Sequence, residues 1–259
     1  MIDKLGDRMK SFYEDRAKTY LLRRTPVVIR IDGKAFHTLT KGFKKPYDTV
    51  LEAAMRNTML YLCKNVQGCV FGYTQSDEIS LVLNDYQKIT TDAWFDYSVQ
   101  KLCSVTSSMA TLAFNKNFYN EHVAWVGATV MDSANYNIQE AHNRAIKQGA
   151  LFDARCFNIP KEEVVNYLIW RQQDATRNSI NSTGQQYYSP KELHGKKPNE
   201  VQEMLFQKGV NWNNFPTSFK RGCCCYKHEV TPEKNTWVLD VKMPIITECP
   251  EEFTKLFQV

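Results

Sequence analysis

The sequence predicts an α+β fold: a split β-α-β-β-α-β (ferredoxin-like) core, then a helical C-terminal extension and a small β hairpin. Three observations predict it. Four short runs rich in β-branched and aromatic residues fall before residue 160, two of them joined by one polar turn. Two longer segments with apolar residues at helical spacing separate the others. After residue 160 the spacing is helical until a last pair of strand-like runs. With 259 residues, 43% apolar and only 9 Pro and 11 Gly, the chain suits one elaborated domain, with a core over 1–160 and an extension over 161–259. Disorder, collagen-like and repeat architectures are excluded.

Ile2, Leu5, Met9 and Phe12 lie three and four apart and predict an amphipathic helix ending near Lys18. Pro26-Val27-Val28-Ile29-Arg30-Ile31 is a β-branched run closed by Asp32-Gly33, a buried strand that stops sharply. Asp48 is a good N-cap for a helix to about Val66, with Leu51, Ala54, Met55, Met59, Leu62 and Cys63 on one face. Cys69 to Tyr73 and Ile79 to Leu83 predict a hairpin across Thr74-Gln75-Ser76-Asp77-Glu78. Asp92 to about Phe114 reads as a helix through Val99, Leu102, Cys103, Met109, Ala110 and Ala113. Ala150 to Ile159 reads as a strand, followed by a Pro160-led helix with Val164, Val165, Leu168 and Ile169. Ser189-Pro190-Lys191-Glu192 has the form of a capping box opening a helix, interrupted at Pro198. Gly222 to Lys227 and Thr236 to Val241 predict the final hairpin, across Thr231-Pro232-Glu233-Lys234-Asn235.

Two right-handed crossovers put the first strand beside the third, antiparallel to it, with their helices on one face. Asp32 and the Asp77-Glu78 pair, 45 residues apart, then meet at one sheet edge. Three carboxylates held close repel one another, and Mg²⁺ is the usual offset, taking one or two carboxylates plus substrate phosphates and water. A backbone carbonyl of the Asp32-Gly33 turn is a further ligand. Either segment by itself is an ordinary turn; their joint placement singles them out. Lys34, Lys41, Lys44 and Lys45, with Phe36 and Phe43 interleaved, follow the first strand and suit phosphate contacts, with a solvated loop as the alternative. His37 lies just after the turn, within reach of a ligand or simply on the surface. The five histidines show no metal spacing, and the Gly-rich phosphate loops, His-Glu-x-x-His and Gly-x-Ser-x-Gly are absent.

Charge is lopsided. Residues 1–48 hold 12 Lys+Arg against 6 Asp+Glu, while the rest of the chain holds 21 against 22, so the positive excess is local and fits a phosphate-rich partner. Eight cysteines without a Cys-x-x-Cys pair read as reduced thiols. The Cys223-Cys224-Cys225 triplet reads as a buried strand, because neighbouring strand residues point to opposite faces and do not converge on one zinc. The charged start Met1-Ile2-Asp3-Lys4 and a longest apolar stretch of only Val123 to Met131 predict a soluble, cytoplasmic protein with no membrane partner.

Five blocks resemble, in order, the tRNA-histidine guanylyltransferase family: Arg30 to His37, Lys45-Pro46-Tyr47-Asp48, Gln75-Ser76-Asp77-Glu78, Phe152-Asp153-Ala154-Arg155 and Tyr167 to Gln172. The first and third are the most specific, and the match runs from about Val27 to about Lys227. The resemblance implies a palm-like catalytic core, similar to conventional polymerases and nucleotide cyclases, that extends RNA in the 3′ to 5′ direction. Two Mg²⁺ ions would be held by Asp32, the Gly33 carbonyl and Asp77, with Glu78 as the third catalytic carboxylate. Asp32, Gly33, Lys34, Ala35, Phe36, His37, Ser76 and Asp77 would hold a nucleoside triphosphate, assisted by Lys45 and Asp48. The implied partners are tRNA, ATP and GTP, with other nucleoside triphosphates as alternatives, and the implied assembly is a homotetramer.

The chain departs from the branch that adds a single guanosine to tRNA-histidine. Where that branch carries His-Ile-Asn-Asn-Leu-Tyr-Asn, this sequence reads Thr176-Arg177-Asn178-Ser179-Ile180-Asn181-Ser182, and a later family lysine aligns with Val201, near Lys196 and Lys197. These losses resemble the guanylyltransferase-like branch, which prefers templated repair of 5′-truncated tRNA. Single guanosine addition, a palm-type nucleotide cyclase and a non-catalytic RNA-binding protein are the alternatives.

Overall fold

The computed structural model describes residues 4–130, 132–231 and 234–257. Ile2, Met131 and the Pro232-Glu233 part of the last predicted turn lie outside them. The chain opens with α1 (Lys4–Met9), continued by single turns over Lys10–Glu14 and Asp15–Ala17. Next come β1 (Val27–Gly33), the one-turn α2 (Phe36–Leu39), α3 (Thr49–Asn65), β2 (Cys69–Gln75), β3 (Glu78–Leu83), α4 (Val99–Ala128), α5 (Ser133–Gln148) and β4 (Phe152–Asn158). Then follow α6 (Val164–Gly184), α7 (Pro190–Leu193), α8 (Pro198–Gln207), α9 (Thr217–Arg221), β5 (Cys223–Thr231), β6 (Lys234–Asp240) and α10 (Pro250–Phe257). Among the described residues no helix is long and apolar enough to cross a membrane.

One antiparallel sheet runs β4-β1-β3-β2-β5-β6. Its first four strands have the order that split connections require, and the predicted β1–β3 pairing is present with Asp32 opposite Glu78. The last hairpin pairs with β2 and so extends the same sheet. Alternation sorts the side chains. Val27, Ile29 and Ile31 of β1 bury against Met55, Met59 and Leu62 of α3 and Leu102 and Phe114 of α4. Val28, Val82 and Tyr73 bury on the other face, under Val164 and Leu168 of α6 and Phe253 and Phe257 of α10. Covering both faces explains why β1 is apolar nearly throughout. The cysteine triplet divides the same way, Cys223 and Cys225 to the first face and Cys224 to the second, and all three thiols are buried.

Four expectations shift. The helix expected from Asp92 begins only at Val99, because Phe95, Asp96 and Tyr97 adopt left-handed φ of 51°, 51° and 56°. That kink buries the Tyr97 ring, and its carbonyl accepts the Leu21 N–H at 3.0 Å. The same helix runs on to Ala128 because Phe118 and His122 continue its buried stripe. Helix α5 was not predicted: its buried stripe is only Ala141, His142 and Ala145. The Ser189 capping box forms, but α7 stops at Leu193, Gly195 turns at φ 74°, and Pro198 opens a separate helix. The first helix forms as expected, yet Leu5, Met9 and Phe12 stay exposed.

Candidate active site

The end of β1 and the β2–β3 turn are tied together by their backbones. Gly33 N–H donates to the Asp77 carbonyl at 3.0 Å, and Asp32 lies in register between Glu78 on β3 and Asp153 on β4. The turn is two residues long, with Ser76 at φ 50°, a left-handed conformation that tight hairpins require and that a non-glycine residue adopts only at a cost of about 1 kcal/mol. Ser76 Oγ then reaches Asp77 Oδ1 at 3.0 Å. Burial pushes the Asp77 carboxyl above its ordinary value; the Ser76 hydroxyl pulls it down and the Asp32 charge pushes it further up.

The third carboxylate has other partners. Glu78 Oε1 accepts from Arg171 Nε at 2.8 Å, and Oε2 accepts from Arg30 Nε at 2.8 Å and Nη2 at 2.7 Å. Burial raises the Glu78 carboxyl against the opposing pull of Arg171 and Arg30. The Arg30 and Arg171 guanidiniums also lie against the Trp170 ring, 5.7 and 4.4 Å from its centroid. Glu78 is therefore a neutralised strut between the sheet and α6, while Asp32 and Asp77, both half-buried, take no part in that pairing. Arg155 Nη2 stands 3.6 Å from Asp32 and is half exposed.

The lysine segment is pinned by its aromatics. Phe36 is buried against Phe114 and Phe152, and Phe43 stacks on Phe118 at 5.5 Å. Phe36 fits beneath the strand end only because residue 33 lacks a side chain: a Cβ on Gly33 would meet the Phe36 ring at 2.3 Å. Ala35, at φ 55°, turns the chain into α2. Lys34, Lys41, Lys44 and Lys45 all stay exposed. Asp48 caps α3 as predicted, its Oδ1 accepting from Val50 N at 3.1 Å and Leu51 N at 3.0 Å.

Between this segment and the carboxylate turn lies a cavity of about 410 Å³. Of the predicted site residues, Phe36, His37, Lys45, Asp48, Ser76 and Asp77 line it; Asp32, Gly33, Lys34, Ala35 and Glu78 do not. Two parts of the wall were missed from sequence. One is Tyr47 packed on Phe219 at 5.4 Å, where burial pushes the Tyr47 hydroxyl up to about 12. The other is Asn178, Ser179 and Ser182 of α6, within the run noted above only as a departure. Small polar residues on a helix give no signal of what they face. Val201 is a core residue packed with Ile180, Leu205 and Trp212, so the position aligned with the family lysine is apolar here.

Among the described residues no three His, Cys, Asp or Glu side chains converge as a ready metal cage. Asp32, Asp77 and the Gly33 carbonyl do fit a hard cation that takes its remaining oxygens from substrate phosphate and water. Burial first, and the Asp32 charge after it, raise the Asp77 carboxyl, and a cation bound there would favour its ionised form.

Phosphoryl and nucleotidyl transfer need fixed positive charge around the phosphates and hard oxygen ligands near the reacting centre. Lys44 and Lys45 share a cavity with Asp77, with Asp32 adjoining, so fold and site together define a phosphate-transfer enzyme. Residues 6–160, more than half of the chain, match the profile of Thg1, tRNAHis guanylyltransferase. The chain belongs to this family of nucleotidyltransferases. It is 32% identical over 221 residues to the tRNA(His) guanylyltransferase of Saccharomyces cerevisiae, covering 78% of this chain and 82% of the relative. A bacterial tRNA(His) guanylyltransferase (Thg1)-like protein solved with ATP superimposes with a TM-score of 0.83 at 37% identity, covering 98% of this chain and 99% of that one. A structure of such a protein with GTP gives 0.79 at 36% identity, with 99% and 100% covered.

Proposed function

We propose that the protein adds nucleotides in the 3′ to 5′ direction to the 5′ end of tRNA, as templated repair of 5′-truncated tRNA, on a palm-like core. The observation that carries this reading is the cavity itself, which joins the lysine segment to the Ser76-Asp77 turn next to Asp32. Lys44 and Lys45 bind the triphosphate of the incoming nucleotide, with His37 and Ser76 at its edge. The bacterial Thg1-like structures in complex with ATP and with GTP support binding of both nucleotides by this protein. In the proposed reaction an oxygen of the tRNA 5′ phosphate first attacks the α-phosphorus of ATP, joining AMP to the 5′ end as the activating group and releasing pyrophosphate. The 3′-hydroxyl of the incoming nucleotide then bonds to the phosphorus of the tRNA 5′ phosphate as the activating group leaves.

Asp32, the Gly33 carbonyl and Asp77 would hold two Mg²⁺, which when bound supply charge stabilisation and a lowered hydroxyl pKa. The protein's own contribution is placement. The Gly33–Asp77 backbone hydrogen bond fixes the two carboxylate-bearing segments relative to each other, and the Glu78–Arg171 pair fixes the sheet to α6. Repair is favoured over single guanosine addition because Asn178, Ser179 and Ser182 stand on the cavity wall in the run where the other branch carries histidine and tyrosine. The test is incubation with Mg²⁺, ATP, the four nucleoside triphosphates and 5′-monophosphorylated tRNA, full-length or lacking its first nucleotide. Extension of the truncated tRNA, lost in Asp32→Ala and Asp77→Ala, is expected. Extension of full-length tRNA-histidine alone would return the protein to the guanosine-adding branch, and no extension of either would remove the proposal.

A further inference from the structure

Asp48 lines the cavity, yet its carboxylate is already saturated by protein. Oδ1 accepts the two backbone N–H groups that begin α3, and Oδ2 accepts Lys44 N–H at 3.1 Å and the His142 ring at 3.0 Å. With Asp48 ionised, the hydrogen of that last bond is on His142 Nε2. The His142 bond, followed by desolvation-opposing backbone bonds, holds Asp48 below the usual carboxylate range despite burial, which acts the other way and is the largest single influence. His142 is 1% exposed. Phe43, Phe118 and Trp125 enclose its ring, and His122 Nδ1 of α4 lies 3.3 Å from its Nδ1. Burial, then the neighbouring His142, lowers the His122 pKa. Asp48 and His122 are thus the titratable groups facing His142.

Helix α5 touches the same segment twice more. The Arg144 guanidinium donates to the carbonyls of Leu39 and Lys41, and a Cβ on Gly42, were there one, would meet Ala141 at 3.1 Å. All three contacts reach the lysine wall. We propose that His142 and Arg144 are positioning residues for nucleotide binding: α5 clamps residues 39–48 so that Lys44 and Lys45 face the cavity, with Asp48 acting as the link and making no direct contact with the nucleotide. This rests on the reading of the cavity as the nucleotide site.

The experiment measures the affinity of the full-length protein for Mg²⁺–ATP by calorimetry, alongside thermal unfolding. His142→Gln and His142→Met have side chains of nearly equal shape, and only Gln retains an N–H for Asp48. The Met variant is expected to bind about tenfold more weakly than the Gln variant, the range of one charge-assisted hydrogen bond. Gln should recover most of the wild-type affinity. Arg144→Ala, at an exposed position whose loss does not threaten folding, is expected to weaken binding several-fold with little change in melting temperature. Equal affinities for the Gln and Met variants, or wild-type affinity in Arg144→Ala, would overturn the clamp. Absence of Mg²⁺–ATP binding to the wild-type protein would instead overturn the reading of the cavity on which it rests.

Discussion

Gly33→Ala probes the joint on which the site is built. The φ of residue 33 is outside the left-handed region, so an alanine meets no backbone penalty and the whole effect is steric. Its Cβ would sit 2.3, 2.5 and 2.8 Å from three carbons of the Phe36 ring. The ring has no room to retreat, with Phe114 and Phe152 centroids at 5.4 and 5.2 Å. Overpacking of this kind costs about 1–3 kcal/mol. Phe36→Ala by itself leaves a cavity and costs about 3–5 kcal/mol. Once the ring is gone the clash is gone, so the double variant should be no less stable than Phe36→Ala. Urea unfolding of the four proteins measures this cycle, and the expected coupling is roughly 1–3 kcal/mol in the sense of relief. Gly127→Ala, in α4 with nothing within 4 Å of its Cβ, serves as the control and should gain up to about 1 kcal/mol. Strict additivity of Gly33→Ala and Phe36→Ala would refute the steric argument. Because Gly33 N–H also holds the Asp77 carbonyl, tRNA extension by Gly33→Ala should fall along with stability.

Two further outcomes follow from the charges. Glu78→Gln removes the shared counter-charge of Arg30 and Arg171, leaving Arg171, 4% exposed at its side chain, paired with Asp174 alone, and should cost about 3 kcal/mol in urea unfolding; wild-type stability would show that the strut carries no load. Asp77 is held above its unfolded pKa, so its contribution to stability is present at acid pH and is lost as pH rises through the carboxylate range. Asp77→Asn should therefore melt higher than wild type near pH 7 without Mg²⁺, with the gap closing toward pH 3, and a gap independent of pH would contradict the assignment.

The parts of the site that could be read from sequence are those encoded locally. The β-branched run to Asp32, the Asp48 cap and the short polar turn at 75–78 each carry their own signal, and the split topology brings the first and last together. The Glu78–Arg171 pair was not legible in the sequence because Arg171 lies 93 residues away and no short motif links them. Helix α5 escaped notice because two alanines and a histidine make a poor apolar stripe, although Asp132, which accepts from Asn135 N at 2.8 Å, was a readable cap. Helix α4 starts later than Asp92 because the backbone turns left-handed at Phe95 to Tyr97, and Tyr97 is buried in that kink where a helix face could equally have used it. Aromatic residues fit either use, and periodicity does not distinguish them.

The place of β5 in the sheet has a consequence for the order in which the protein is made. Every residue of β2 but Gln75 is buried, and one of its two edges is paired through Phe71 to Thr74 against Cys223 to Tyr226. A ribosome that has released only the first 160 residues has supplied β1 to β4 and the carboxylate turn, but it leaves β2 as a bare apolar edge of the sort that recruits other strands. Completion of the sheet thus waits for Cys223 to Tyr226, about 150 residues after the β2 edge that they cover.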